Sequence, residues 1–221
     1  MSPDHEREAW LHVITPEDID VLMAGNGQAE ANAAHVRALL LAHPLGPNAR
    51  LLVHGCGTCQ VLDYLKPADF HGATITFADL SEPMLAFAKR RAASRHGLHY
   101  RFVIDDIEDT ALTGTYEAVL LSMVLLHVDW NKALRNVVGL RPDCVYVIEQ
   151  ERNAGTPATG AVGRTLPLSI QRYAGTVAVK LVPRKGLIDS MKALGYGLVH
   201  LRETGVPDGK KMVGMVFARQ P

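Results

Sequence analysis

From residue 49 onward the chain alternates short apolar runs with stretches whose apolar positions recur every three or four residues, a rhythm that predicts strands joined by helical crossovers on a mainly parallel sheet. The runs place strands at Arg50 to His54, Thr74 to Asp79, Tyr100 to Ile104, Ala118 to Ser122, Val145 to Glu149, Val199 to Arg202 and Met212 to Ala218. Helices are expected between most of them. Pro207-Asp208-Gly209-Lys210 is a tight-turn sequence with no room for a helix, so the last two strands should pair antiparallel. Before residue 49 the period is helical around Asp4 to His12 and Gln28 to Ala42, with breaks at Thr15-Pro16-Glu17-Asp18 and Gly25-Asn26-Gly27. Ser81 is placed to cap a helix from Pro83 to about Arg95, with Pro83 tolerated in its first turn.

The pattern reads as a three-layer α/β fold. It is a doubly wound, Rossmann-like sheet of seven strands, mostly parallel, closed by an antiparallel C-terminal hairpin and preceded by a helical cap. The cap spans 1–48 and the core 49–221, with an insert at 150–183, rich in glycine and arginine, on the side of the sheet where ligands bind.

Composition narrows the partners. Lys plus Arg and Asp plus Glu number 23 each, so no basic field favours a nucleic acid, and the expected partner is a small molecule. A homodimer is left open. The charged start and the absence of any run near 18 apolar residues predict neither signal segment nor membrane span, and hence a cytoplasmic protein. Three cysteines, at 56, 59 and 144, make a disulfide framework unexpected.

The chemistry concentrates in Leu51-Leu52-Val53-His54-Gly55-Cys56-Gly57-Thr58-Cys59, followed 24 residues after Gly55 by Asp79. Strand, glycine loop, helix, strand and acid in this order suit an adenosine: glycine lets backbone approach the ligand, and the acid accepts hydrogen bonds from ribose hydroxyls. Cys56-Gly57-Thr58-Cys59 also has redox or zinc spacing, but two further zinc ligands are not found, and a redox motif would leave Asp79 unexplained, so no metal is expected.

From Leu51 to the C-terminus the chain resembles the class I S-adenosylmethionine-dependent methyltransferases. Val53 to Cys59 resembles their glycine loop, and Phe77-Ala78-Asp79-Leu80-Ser81-Glu82-Pro83-Met84-Leu85 their second-strand acid and helix start. Asp105-Asp106-Ile107-Glu108 resembles the acidic step after the third strand, with Asp106 in the better register, and Tyr116 to His127 resembles the fourth-strand block. The resemblance implies S-adenosylmethionine as cofactor and S-adenosylhomocysteine as product. It also implies a pocket formed by His54, Gly55, Cys56, Gly57, Asp79, Leu80, Met84, Asp106, Ile107, Leu121 and Ser122. Two positions depart from the family: its first acid is Val53 here and its third glycine is Cys59. The ammonium end of the cofactor then needs another acceptor, for which His54, Asn26, Gln28 and carbonyls near Gly55 are candidates.

Methyl transfer to a small-molecule N or O acceptor is the implied reaction. His127 is the expected base and Glu149 a second catalytic candidate, able to orient an amine or to pair with Arg152. Trp10, His127, Glu149, Arg152 and Tyr173 are the expected acceptor contacts, and Arg152, Arg164 and Arg172 are weaker pointers to an anionic substrate. The departures at Val53 and Cys59 motivate two alternatives: a homologue that catalyses cyclisation or rearrangement, and a non-catalytic adenosine-binding regulatory module.

Overall fold

The computed structural model describes residues 3–152, 166–174, 181–205 and 210–221, without the side chains of 3–5, 152, 173 and 174. Strands β1 (Arg50–His54), β2 (Thr74–Asp79), β3 (His99–Ile104), β4 (Ala118–Ser122), β5 (Cys144–Arg152), β6 (Tyr196–Gly205) and β7 (Lys210–Arg219) form one sheet in the order β3-β2-β1-β4-β5-β7-β6. The first five are parallel, and β7 runs antiparallel to both β5 and β6. The order reverses direction at β1, so β1 and β4 flank the switch point where a crevice opens at the carboxyl ends of the strands.

Helices are α1 (Pro3–His12), α2 (Pro16–Gly25), α3 (Gln28–Ala42), α4 (Glu82–Ala93), α5 (Trp130–Gly139), α6 (Leu168–Ala174) and α7 (Arg184–Ala193). Because side chains alternate along a strand, the continuous apolar runs of β1, β4 and β5 serve two cores at once. Leu51, Val53, Leu120, Tyr146 and Ile148 pack on the α3 and α4 side. Leu52, Val119, Leu121, Val145 and Val147 pack on the α5 and α7 side. A third, smaller cluster joins Ala9 and Ile14 to Met84 and Ile170, seating α1 and α6 on the start of α4. No helix among the described residues is long and apolar enough to cross a membrane.

Three local expectations are corrected. Thr15-Pro16-Glu17-Asp18, read as a break, starts α2: the Thr15 hydroxyl accepts from Asp18 N at 3.3 Å, and Pro16 sits where its missing amide costs nothing. The helix expected after the glycine loop is replaced by two 3-10 turns, Gln60–Asp63 and Pro67–Phe70, because Pro67 interrupts the segment before a full helix can grow. Ser81 occupies the N-cap of α4, but its side chain makes no capping hydrogen bond. The last three strands also run longer than their apolar runs, since the hairpin pairs polar ends such as Glu151 with Lys211 and Glu203 with Val213.

Candidate functional site

The loop after β1 is shaped by two glycines with different tasks. Gly55 has φ +69°, and a Cβ there would sit 2.2 Å from Val124 Cγ2, so the loop packs directly on the segment after β4. Gly57 has φ +53°, and a Cβ there would meet nothing within 4 Å, so its backbone borders open space. Gly57 N donates to Asp79 Oδ2 at 2.7 Å, and Ser81 N donates to Asp79 Oδ1 at 2.9 Å. Burial raises the Asp79 carboxyl above its usual value against the pull of these amides and of His54. Cys59, in the place of the family's third glycine, is left-handed at φ 56° and ψ 37°. That conformation costs a non-glycine residue about 1–2 kcal/mol, so the turn keeps its shape at the expense of strain. Burial, contact with Cys59 and the Asp79 charge push the Cys56 thiol well up, which opposes a reactive thiolate.

The acidic step after β3 divides its two residues. Asp105 turns inward: its carboxyl lies 3.0 Å from His54 Nε2 and accepts from Thr110 Oγ1 at 2.6 Å and Ala111 N at 2.8 Å. Burial alone would raise Asp105, but His54, Thr110 and Ala111 together hold it below the usual carboxylate range. His54 is 1% exposed, so its imidazole supports Asp105 from within the core and only its backbone borders the crevice. Asp106 turns outward, accepts from Glu108 N at 2.9 Å through Oδ1, and pairs through Oδ2 with the Arg7 guanidinium of α1. Ile107 and Leu121 are buried on the α5 side, while Leu80 is half-buried beside Asp79. Met84 is fully buried against Ala9, Ile14 and Ile170, so its side chain is core for the cap rather than a surface for a ring.

On the other side of the switch point, β4 ends at Ser122, whose buried Oγ has no hydrogen-bond partner among the described residues. Met123 follows with φ 59°, a second non-glycine residue in the left-handed region, and its amide donates to Ile148 O at 2.8 Å. Such residues collect where surrounding structure holds a functional loop in place. A 3-10 turn, Leu125–His127, comes next. His127 Nδ1 lies 3.4 Å from Glu6 Oε1, and Trp10 meets the imidazole edge-on with ring centroids 4.8 Å apart. Glu149, near the end of β5, is 3% exposed; burial pushes its carboxyl up to about 8 against backbone hydrogen bonds from Leu125 and Gln150. Its Oε1 has no hydrogen-bond partner among the described residues.

Glu6 and Arg7 were not among the sequence candidates. Glu6 and Trp10 share a face of α1 at helical spacing, but chain order alone does not turn that face toward His127. Asp105, passed over for Asp106, proves the more buried of the two. The cap is tied to the loop as well: Thr58 Oγ1 donates to Asp20 at 2.5 Å, and Arg91 bridges Asp20, Asp63 and the Thr58 carbonyl. Gln28, considered for the ammonium, instead donates to the Gln150 side chain. The side chains of Arg152 and Tyr173, and all of Arg164, lie outside the described residues; Arg172 is exposed on α6.

An adenosine-bearing cofactor fits this edge. Gly57 offers backbone beside open space, Asp79 keeps unused lone pairs for two ribose hydroxyls, and Asp106 faces outward one strand further along. Val53, 6% exposed within the apolar core, offers nothing to an ammonium group.

Residues 52–145 match a family model described as a methyltransferase domain. No curated protein is a significant match to the sequence. Among solved structures, the chain is similar to magnesium protoporphyrin IX methyltransferase (ChlM) from Synechocystis PCC 6803 with bound S-adenosylhomocysteine, at TM-score 0.65 and 20% identity over 92% of this chain and 86% of that one. The [4+2]-cyclase SpnF aligns at TM-score 0.65 and 16% identity, over 85% of this chain and 81% of its own. N-methyltransferase NodS from Bradyrhizobium japonicum WM9 aligns at TM-score 0.62 and 13% identity, over 88% of each chain. Residues 52–145 are thus similar to a methyltransferase domain, and the fold is the one shared by ChlM, SpnF and NodS.

Proposed function

We propose that the protein binds S-adenosylmethionine along β1 to β3 and transfers its methyl group to nitrogen or oxygen of a small molecule held over β4 and β5. The observation that carries this reading is Asp79, set at the end of β2 with Gly57 beside it and open space above Gly57. The cofactor, when bound, supplies an electrophilic methyl on a sulfonium. The chain supplies position: Asp79 for the ribose, Asp106 for the adenine amine, and the Gly55 to Gly57 backbone for close approach. His127, oriented by Glu6 and walled by Trp10, is the base for a hydroxyl acceptor or for the proton left on a methylated nitrogen. The balance of charge over the whole chain supports a small, soluble acceptor rather than a nucleic acid.

A second reading keeps the cofactor but not the transfer. Val53 supports it, since an apolar residue stands where the family holds the methionine ammonium, and SpnF, a cyclase by its name, shares the fold. Calorimetric titration with S-adenosylmethionine and S-adenosylhomocysteine, followed by methyl-label transfer to a metabolite extract, separates the readings. Micromolar binding and a labelled small-molecule product are expected. Binding without label transfer would favour the second reading or a regulatory role, and absence of binding would overturn both enzymatic readings.

A further inference from the structure

We propose that the acceptor is an amine that enters as an ammonium ion and is held and deprotonated by Glu149. This rests on the methyltransferase reading above and names its substrate class.

Glu149 is a built but incomplete site. The residue is 3% exposed, two backbone groups approach its carboxyl, and Oε1 has no donor among the described residues. An unsatisfied buried polar atom costs about 1–3 kcal/mol, and an ionised one more, so a protein keeps such an arrangement when a ligand completes it. Among the described residues, no cation contributes to its shift. Arg184, on α7, bridges Glu151 of β5 and Glu203 of β6, and Lys211 of β7 also holds Glu203. Lys210 shares a sheet face with Met212, whereas Glu149 lies opposite Val213 on the other face.

The neighbourhood selects charge. The turn Leu125–His127 is bordered at one end by Glu149, through Leu125, and at the other by Glu6, through His127. Glu6 is itself only 5% exposed. Two buried carboxyls beside one short turn favour a cationic acceptor and oppose a carboxylate or phosphate.

The chemistry balances without another reactant. As the ammonium binds, Glu149 releases its resting proton to solvent; the ammonium N–H then donates to the carboxylate Oε1, and its proton passes to that oxygen, leaving a neutral amine beside a neutral carboxyl. The nitrogen lone pair then forms the N–C bond while the S–C bond breaks with its electron pair going to sulfur, so the positive charge moves from sulfur to the methylated nitrogen. The proton taken from the ammonium stays on Glu149 as product departs, which restores the resting carboxyl. A carboxyl near 8 is within about two units of an alkylammonium, against about six for an ordinary Glu, so the transfer loses little driving force.

The test is isothermal titration of the protein saturated with S-adenosylhomocysteine. Benzylamine, n-butylamine and spermidine are the probes, and benzyl alcohol, phenol and benzoate are the controls. At least one amine should bind about tenfold more tightly than every control, and Glu149→Gln should lose about tenfold of that affinity while S-adenosylhomocysteine affinity stays within about twofold. Equal affinity for amines and alcohols, a preference for benzoate, no amine binding to a protein that binds S-adenosylhomocysteine, or an amine affinity indifferent to Glu149→Gln would each overturn the proposal. The comparison of probes on the unmodified protein decides even if the variant does not fold. Failure of that protein to bind S-adenosylhomocysteine would overturn the methyltransferase reading first, and the amine proposal with it.

Discussion

The two halves of the crevice treat their carboxyl groups in opposite ways. Over β1 to β3, each acid has partners within the chain: Asp79 takes Gly57 N and Ser81 N, Asp105 takes Thr110, Ala111 and His54, and Asp106 takes Glu108 N and Arg7. Over β4 and β5, Ser122 Oγ and Glu149 Oε1 are buried and without a hydrogen-bond partner among the described residues. The first half has its carboxyl groups partnered before any ligand arrives, as a site that holds a constant cofactor should. The second carries unpaired polar groups, which suits a site whose selectivity comes from completing them. Preorganisation and selectivity thus lie on opposite sides of one topological switch point.

The sharpest way to test that contrast is the pH dependence of stability in Glu149→Gln. Between about pH 4.5 and about 8 the folded protein keeps a proton on Glu149 that the unfolded chain has lost. Wild-type stability therefore falls as pH rises through that window and levels off above it. Glutamine does not titrate, so the stability of the variant relative to wild type should grow by on the order of 4 kcal/mol across the window, read from urea midpoints. A flat difference would return Glu149 to an ordinary environment and erase the contrast.

Next in size is Gly55→Ala, whose Cβ would collide with Val124 in a left-handed conformation; urea unfolding should show a loss of about 3 kcal/mol. Asp79→Ala should leave the fold intact and weaken S-adenosylhomocysteine by about 100-fold in calorimetry, the worth of two charge-assisted hydrogen bonds. A loss under about fivefold would show that the ribose is held elsewhere. Gly57→Ala separates the two glycines: with open space around the new Cβ it should cost only about 1 kcal/mol of stability, yet about tenfold in cofactor affinity. The smallest effect expected is for Arg7→Ala. Freeing Asp106 from a half-exposed ion pair should tighten S-adenosylhomocysteine by no more than about fivefold, and weaker binding would make Arg7 part of the pocket instead.

Local chemistry explains which parts of the chain were readable. The strands β1, β2 and β4 coincide with their apolar runs because a strand buried on both faces must be apolar throughout, and Pro207 to Lys210 allows only an antiparallel return. The start of α2 misled because Thr and Pro mark both a loop and a helix N-terminus, and only the turn that follows distinguishes them. The glycine loop promised a helix, but Cys59 and Pro67 leave room for 3-10 turns alone.

The strand positions of the core, the doubly wound class and the pairing of a glycine loop with Asp79 are legible in the order of residues, since each follows from spacing within a few dozen residues. Tertiary structure alone decided that His54 turns into the core to hold Asp105, that Met84 belongs to the cap, that Glu6 reaches His127, and that Glu149 is buried with an oxygen unpaired. Those outcomes depend on which groups from distant elements meet and on how much water their meeting excludes. Neither quantity is carried by the order of residues along the chain.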